Sequence, residues 1–312
     1  MLTRIILIIF YYSFYLLFPF LGFLFWKLFQ NKKISIEIII LIIISLVLIW
    51  SRFIEPSNVI TRKYDFSIQK ENLSSKEIKV LIISDLHLGA YNNDFFLKRI
   101  VKKINKINPD IVVIPGDFSY YLNSDNIHLT FSELKNIKAI KFAVLGNHDY
   151  GKGEKDISQK LTSNLEMIGV LMLDNKTKTI EINNSIIRIV GLEDIWVGSP
   201  NYSILEKNNF DEQIDLSLLI AHNPDTIYNI KDYCSVEKEC FKSDLMISGH
   251  THAGQIRLPW FYKYVIPSAH GFNKGFYNVF ETDIFVTPGI GNVVLPLRLF
   301  NFPEISLINL KY

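Results

Sequence analysis

Short polar clusters that mix carboxylates with imidazoles recur along the chain: Asp85-Leu86-His87, Gly116-Asp117, Gly146-Asn147-His148-Asp149, a lone His222, and Gly249-His250-Thr251-His252. Each one closes an apolar run. In extended chain, residues two apart point the same way, so Asp85 with His87, and His250 with His252, form ready chelating pairs. Carboxylate, imidazole and amide oxygen together suit divalent Mn, Fe or Zn rather than the softer ions that thiolates select. Ligands of these types and in this number can hold two such ions side by side. Two divalent cations against two carboxylates leave a net positive site, for which phosphate is the natural guest. A pair of ions about 3.5–4 Å apart can lower the pKa of a water to about 7 and stabilise the leaving oxygen of an in-line displacement. The chemistry implied is hydrolysis of a phosphate ester or anhydride, with no covalent enzyme intermediate. The bland alternative makes Asp85 and Asp117 helix caps and the histidines loop filler. It explains less, since a cap needs only Ser, Thr, Asp or Asn and not paired histidines.

The elements that must position these residues follow from the apolar runs. Residues 78–84 form a continuous β-branched stretch, as expected of a strand buried on both faces. Strands are also expected over 111–115, 139–145, 216–221 and 245–248. Residues 95–107 carry apolar side chains at 96, 97, 100, 101, 104 and 107, which is helical spacing. Residues 169–190 read as consecutive antiparallel strands turned at Asp174-Asn175 and Asn183-Asn184, and 275–310 as further strands. Every chemical cluster then sits just past a strand, where open α/β sheets place their sites. The expected fold class is α/β, two packed mixed β-sheets flanked by helices.

The first fifty residues differ in kind. Residues 5–28 are apolar apart from Tyr, Ser, Pro, Gly and Lys27, and a second apolar run covers 38–50. A bilayer core takes about 20 residues as helix, with a lower limit near 17. The first run clears this; the second does so when counted from about residue 34, with Glu37 snorkelling. A cleaved signal peptide would have a shorter apolar core and an Ala-x-Ala-like site, and neither is present. The division expected is a membrane anchor of two transmembrane helices over 1–50, a juxtamembrane connector over 51–76 with an edge strand through Tyr64-Asp65-Phe66, and a catalytic domain over 77–312. Integral placement in the cell membrane follows. Lys27, Lys32 and Lys33 between the spans balance Arg4, Arg52, Arg62 and Lys63 outside them, so the positive-inside rule assigns no side. The spacing of Cys234 and Cys240 allows a disulfide, which would favour an oxidising compartment; two free thiols in a cytosolic loop fit equally. With 33 basic against 31 acidic residues and no basic block interleaved with aromatics, nothing points to nucleic-acid binding.

With five motif blocks in order, the chain from about residue 78 to its end resembles the calcineurin-like binuclear metallophosphoesterases. The stretches 249–259 (Gly-His-Thr-His-Ala-Gly-Gln-Ile-Arg-Leu-Pro) and 287–304 resemble, more narrowly, a bacterial subfamily of membrane-anchored phosphodiesterases. Some of its members cleave the lipid A precursor UDP-diacylglucosamine. The resemblance implies the two-sheet metallophosphoesterase sandwich and two divalent metal ions. One ion would take Asp85, His87, Asp117 and His252, the other Asp117, Asn147, His222 and His250, with a bridging hydroxide as nucleophile. His148 would face the substrate and protonate the leaving group, and Asp149 would orient an imidazole. The substrate implied is a phosphodiester or pyrophosphate, as a small molecule or a lipid. A phosphomonoesterase or protein phosphatase on the same core remains an alternative, as does a catalytically silent metal-binding membrane adaptor. The chain departs from the subfamily at Ala253, where glycine is usual, and the change bears on a turn beside the site.

Five of the seven histidines fall inside the blocks. His128 and His270 read as solvated loop residues. Arg257 and Arg298 have the geometry to meet phosphate, with salt bridging an equal alternative. Trp260, Phe261, Tyr262 and Tyr264 follow the last block; burial as a cap over the core is the first expectation, and an interfacial lip admitting a lipid-linked substrate is the second.

Overall fold

The computed structural model describes residues 2–30, 35–68, 76–151, 156–206, 214–234 and 239–312. In chain order its strands are β1 (Ile60–Ser67), β2 (Glu77–Ile82), β3 (Leu88–Gly89), β4 (Ile111–Pro115), β5 (Ser119–Tyr120), β6 (Ile140–Val144), β7 (Val170–Met172), β8 (Lys176–Ile182), β9 (Ser185–Gly191), β10 (Leu216–Ile220), β11 (Leu245–Ser248), β12 (Gly275–Val279), β13 (Thr282–Val286) and β14 (Glu304–Lys311). They make two six-stranded sheets, ordered β1-β14-β2-β4-β6-β7 and β12-β13-β11-β10-β9-β8, and a small β3-β5 pair.

The double apolar faces of these strands explain the layering. Val80, Ile82, Ile111 and Val113 of the first sheet face Ile189, Leu218, Ile220 and Ile247 of the second and form the core between them. The alternate residues Leu81, Ile83, Val112 and Ile114 pack outward against helices. Chief among these is the helix Asp94–Ile107, which buries Phe96, Leu97, Ile100, Val101 and Ile104 in one stripe. It starts where the Asn93 side chain accepts from Phe96 N and stops where Asn108 turns left-handed, both ordinary ways to satisfy helix ends. The outer face of the second sheet packs Leu219, Met246 and Ile284 on Ile227.

Two expectations change. Residues 170–190 are not one antiparallel meander. β7 pairs in parallel with β6 in the first sheet, and the chain crosses at Asp174-Asn175 to the second sheet. There β8 and β9 form a hairpin through Asn183 and Asn184, both at positive φ. Apolar pattern and turn residues look alike in the two cases, so the crossing was not legible. The segment read as a connector also supplies more than a short strand. All of Ile60–Ser67 pairs in parallel with Glu304–Lys311 at the edge of the first sheet.

Two helices are long and apolar enough to cross a membrane, Ile5–Gln30 and Ile36–Ile54. The first is interrupted by a 3₁₀ turn at Phe14–Leu16, one turn before Pro19, which lacks the N–H that would continue the α ladder. The second ends in a π turn, Trp50–Ile54. The two pack through Leu24, Ile38 and Ile42, while Ile9, Leu16 and Phe29 are exposed outward.

Candidate metal centre

Strands β2, β4 and β6 are parallel neighbours in the first sheet, and β10 and β11 are parallel neighbours in the second. Parallel pairing brings all five carboxyl ends to one edge of the sandwich, so the clusters that follow them meet. Asp85, His87, Asp117 and His252 offer donor atoms lying within 4.8 Å of one another, and Asp117, His222 and His250 form a second such group. Asn147 joins the latter, its Oδ1 3.2 Å from His222 Nε2. Asp117 is common to both.

Left-handed backbone aims these side chains. Asp85, His87, Asp117, His250 and His252 all have positive φ, between 44° and 68°. Asp, Asn and His tolerate this region better than most residues, yet each such residue costs on the order of 1–2 kcal/mol. The chain approaches itself closely here. A Cβ at Gly146 would lie 2.3 Å from Asp117 Oδ1, and one at Gly249 would lie 2.2 Å from Ser84 Oγ and 2.6 Å from Asp85 Oδ2. Any side chain there would displace the carboxylates, which accounts for glycine in those two motifs.

The donor set fits divalent ions. His87 Nε2 and His252 Nε2 face each other at 2.9 Å, and His250 Nδ1 and His222 Nε2 at 3.1 Å; lone pairs so placed repel unless a proton or a cation stands between them. Among the described residues, Asp85 Oδ2 and His252 Nδ1 are buried with no hydrogen-bond partner. His222 is oriented from behind, its Nδ1 2.7 Å from the Pro115 carbonyl, which leaves Nε2 to face Asp117 Oδ2 at 3.3 Å. Second contacts of this kind fix the tautomer of a ligating histidine.

Burial governs the charges. It pushes the Asp85 carboxyl up to about 7, with the neighbouring Asp117 charge adding to the effect. It holds His87 down at about 3 and His250 and His252 well below the ordinary imidazole range, so these rings are neutral, as ligands must be. Asp117 also feels burial, but His222, His148 and His87 outweigh it and keep the carboxylate ionised. For His222 burial is likewise outweighed, by Asp117 above all, and its pKa rises to about 10. The centre thus attracts positive charge at the spot that Asp117 shares between both groups.

His148 and Asp149 sit on the turn after β6. His148 N donates to Asp117 Oδ1 at 2.9 Å, and its ring lies 5.0 Å from that of His87 and 5.2 Å from that of Tyr120. Asp149 differs from expectation. Its carboxylate accepts from Phe118 N, Ser119 N, Ser119 Oγ and Gly146 N at 2.8–3.1 Å, so it holds the backbone on either side of Asp117 rather than an imidazole. Arg298 departs as well. It is fully buried and donates to the carbonyls of Pro288, Gly289, Gly291 and Asn301, out of reach of a phosphate in the groove. Arg257 bonds Ala253 O and Asn273 Oδ1 and stacks on Tyr262. His270 is pinned by Asp225 at 3.2 Å and stacked on Tyr228, while His128 lies in the short helix Ile127–Thr130.

A groove of about 470 Å³ opens over the centre, with Asp117, Asn147, His148 and His250 at its floor and Ile256, Leu258, Phe261, Val265, Val293 and Leu295 among its walls. Three aromatics of the run are exposed rather than packed, Trp260 at 80%, Phe261 at 69% and Tyr264 at 86%, while Tyr262 is half-buried under Arg257. Trp196, edge-on to His250 at 4.3 Å, lines the same groove and was not legible in the sequence, because a lone aromatic in a loop carries no pattern.

Two mixed sheets carrying Asp and His clusters on neighbouring parallel strand ends define a metallophosphoesterase. Residues 78–254 match the calcineurin-like phosphoesterase family, and the chain belongs to it. It is therefore a hydrolase acting on phosphoester bonds. It is 30% identical to the uncharacterised metallophosphoesterase YkuE of Bacillus subtilis, over 84% of this chain and 89% of that one. Similarity extends to the UDP-2,3-diacylglucosamine pyrophosphatase LpxG of Chlamydia muridarum, 27% identical over 82% of this chain and 83% of the relative. The phosphodiesterase YaeI of Escherichia coli is 25% identical over 84% of this chain and 92% of its own length.

Proposed function

We propose that the chain is a membrane-anchored phosphohydrolase that cleaves a phosphodiester or pyrophosphate in a lipid-linked substrate, UDP-diacylglucosamine being one such compound. The observation that carries this reading is the groove: a floor of ligand-type polar residues continues directly into apolar walls. An amphiphile fits it, with phosphate on the floor and hydrocarbon along Leu258, Phe261 and Val265. The wall also borders the apolar helices. Tyr91 donates to Val294 O at 2.8 Å and stacks on Tyr11 of the first helix, ring centroids 5.7 Å apart, which supports a groove whose mouth adjoins the membrane surface. The disulfide between Cys234 and Cys240 supports a catalytic domain on the oxidising side of that membrane.

When bound by Asp85, His87, Asp117 and His252 and by Asp117, Asn147, His222 and His250, two divalent ions supply the nucleophile and polarise the phosphoryl oxygens. The chain's own residues do the rest. The neutral imidazoles of His87, His250 and His252 present lone pairs, Asp117 sets the spacing of the two groups, and Asp149 fixes the loop that carries Asp117. His148, on the groove side of Asp117, gives a proton to the departing oxygen. That role needs the ring near the leaving group rather than among the ligands, and it lines the groove.

The test is a hydrolysis panel with full-length protein in detergent and Mn²⁺, comparing UDP-diacylglucosamine, a simple phosphodiester, a phosphomonoester and a nucleotide. The lipid-linked compound is expected to show the highest kcat/KM and the monoester the lowest. A monoester turned over fastest would replace this reading with the phosphatase alternative, and no turnover of any of the four would favour the silent adaptor.

A further inference from the structure

At the end of the second apolar helix, where a loose tether would be exposed, Ser51 and Glu55 are each only 1% accessible. A buried carboxylate is costly unless it is hydrogen-bonded, and Glu55 has two donors. Trp50 Nε1 donates to Oε2 at 2.9 Å, and the main-chain N–H of Asn301 donates to Oε1. The Asn301 side chain points the other way, its Nδ2 donating to the carbonyl of His252 at 2.7 Å. A second path leaves from Ser51, whose carbonyl accepts from Arg298 N at 2.9 Å. The buried Arg298 guanidinium gathers the carbonyls of Pro288, Gly289 and Gly291, and Gly291 N donates to the carbonyl of Asp85 at 2.7 Å. Both paths end on the group formed by Asp85, His87, Asp117 and His252. In the other group, His222 is fixed instead by Pro115 at the end of β4.

We infer that Glu55, Asn301 and Arg298 are positioning residues through which the end of the membrane-proximal helix holds one of the two metal positions, that of Asp85 and His252, and not the other. The inference rests on reading those residues as ligands. It makes the anchor a member of the metal centre's scaffold. Outer contacts to metal ligands are typically worth about 10–100-fold in metal affinity, and the effect here falls on one ion of the pair.

The experiment is a Mn²⁺ titration of full-length protein in detergent, followed by electron paramagnetic resonance, which separates a spin-coupled pair from a lone ion. Asn301→Ala keeps the main-chain bond to Glu55 and removes only the bond to His252. It is expected to weaken one ion by about 10–100-fold and leave the other within about twofold, so that lone-ion signal appears where wild type shows the coupled pair. Glu55→Gln turns an amide N–H₂ toward the Trp50 indole N–H and is expected to give the same selective loss. Trp50→Phe in that chain removes the opposing donor and should restore the pair, a rescue that general destabilisation would not produce. Asp244→Asn, which disturbs the distant cap on Ser217, should lower Tm and change neither ion. Wild-type binding in both Asn301→Ala and Glu55→Gln would overturn the inference, and so would equal weakening of both ions in step with Tm. Wild-type protein that takes up fewer than two ions would remove the ligand assignment itself, and the inference with it.

Discussion

Beneath the groove Asp85, His87 and His222 are fully buried and His252, on its floor, is 4% accessible, while along its outer wall Phe261 and Val265 stand 69% and 62% exposed. The floor is built by strand ends whose register is set by two sheets and a continuous core. Its side chains are aimed by left-handed turns and by contacts such as Pro115 with His222 and Asn301 with His252. The wall is built by loops and is held at few points, notably by Gln255, whose side chain brackets Val293 and Leu295. A rigid polar floor under an apolar rim separates two tasks. The floor fixes which bond is broken, and the rim decides which molecule brings that bond. Substitutions in the two regions should therefore fail in different ways.

The largest effect is expected at the floor. Asp117→Asn removes the one carboxylate shared by both ligand groups, so metal content measured on the purified protein should fall by more than the roughly 10–100-fold in affinity that an outer contact costs. All substrates in the panel should be lost together. Retention of both metals and of activity would end the bimetal model. His148→Ala should keep the metals and lower kcat by about 10²–10⁴-fold, with less loss for substrates whose leaving group needs no proton. Unchanged turnover would take that role from His148.

This contrast also explains what could be read from the sequence. The convergence of Asp85, His87, Asp117, Asn147, His222, His250 and His252 was legible because each cluster directly follows an apolar run, and because few other needs put histidines two apart. The helix Asp94–Ile107 was legible from its apolar period, and β2, β4, β6, β10 and β11 from continuous apolar runs. The scaffold behind the floor was not. Arg298 read as a phosphate contact or a salt-bridge partner because no local pattern reveals that four main-chain carbonyls will close around it, and Asp149 looked like a partner for a ring because its true partners are backbone N–H groups. The crossing at Asp174-Asn175 was hidden for a related reason, since a turn within a sheet and a passage between sheets use the same residues. Aromatics such as Phe261 of the wall and its neighbour Trp260 carried an ambiguous signal. Burial is the usual fate of such side chains, and only the folded loop leaves them out.

At the wall the effect should be smaller and selective. Burying a Phe-sized side chain is worth about 1.5–3 kcal/mol, so Trp260→Ala with Phe261→Ala should lower kcat/KM for a lipid-linked substrate by about 10–100-fold. A small aryl phosphodiester should be cleaved as by wild type, with metal content unaltered. Equal loss on both substrates would make the run a structural lip and return substrate choice to the floor.

The smallest effect lies where the two regions join. Ala253 follows His252 and precedes Gly254 and Gln255, with which the wall begins, and it sits buried at φ +50°. An L-residue in this region pays about 1–2 kcal/mol that glycine does not, while glycine adds about 0.4–1 kcal/mol of unfolded-chain entropy to be lost. The first slightly exceeds the second, so Ala253→Gly should stabilise the protein by up to about 1 kcal/mol, read as a modest rise in Tm. Neither metal content nor the substrate ranking should change, because the turn is already held by Thr251 Oγ1 accepting from Ala253 N and by Asn301 on His252. If instead lipid turnover shifts while the metals stay, the alanine is tuning how the wall leaves the floor. The boundary between chemistry and substrate choice would then run through this one residue.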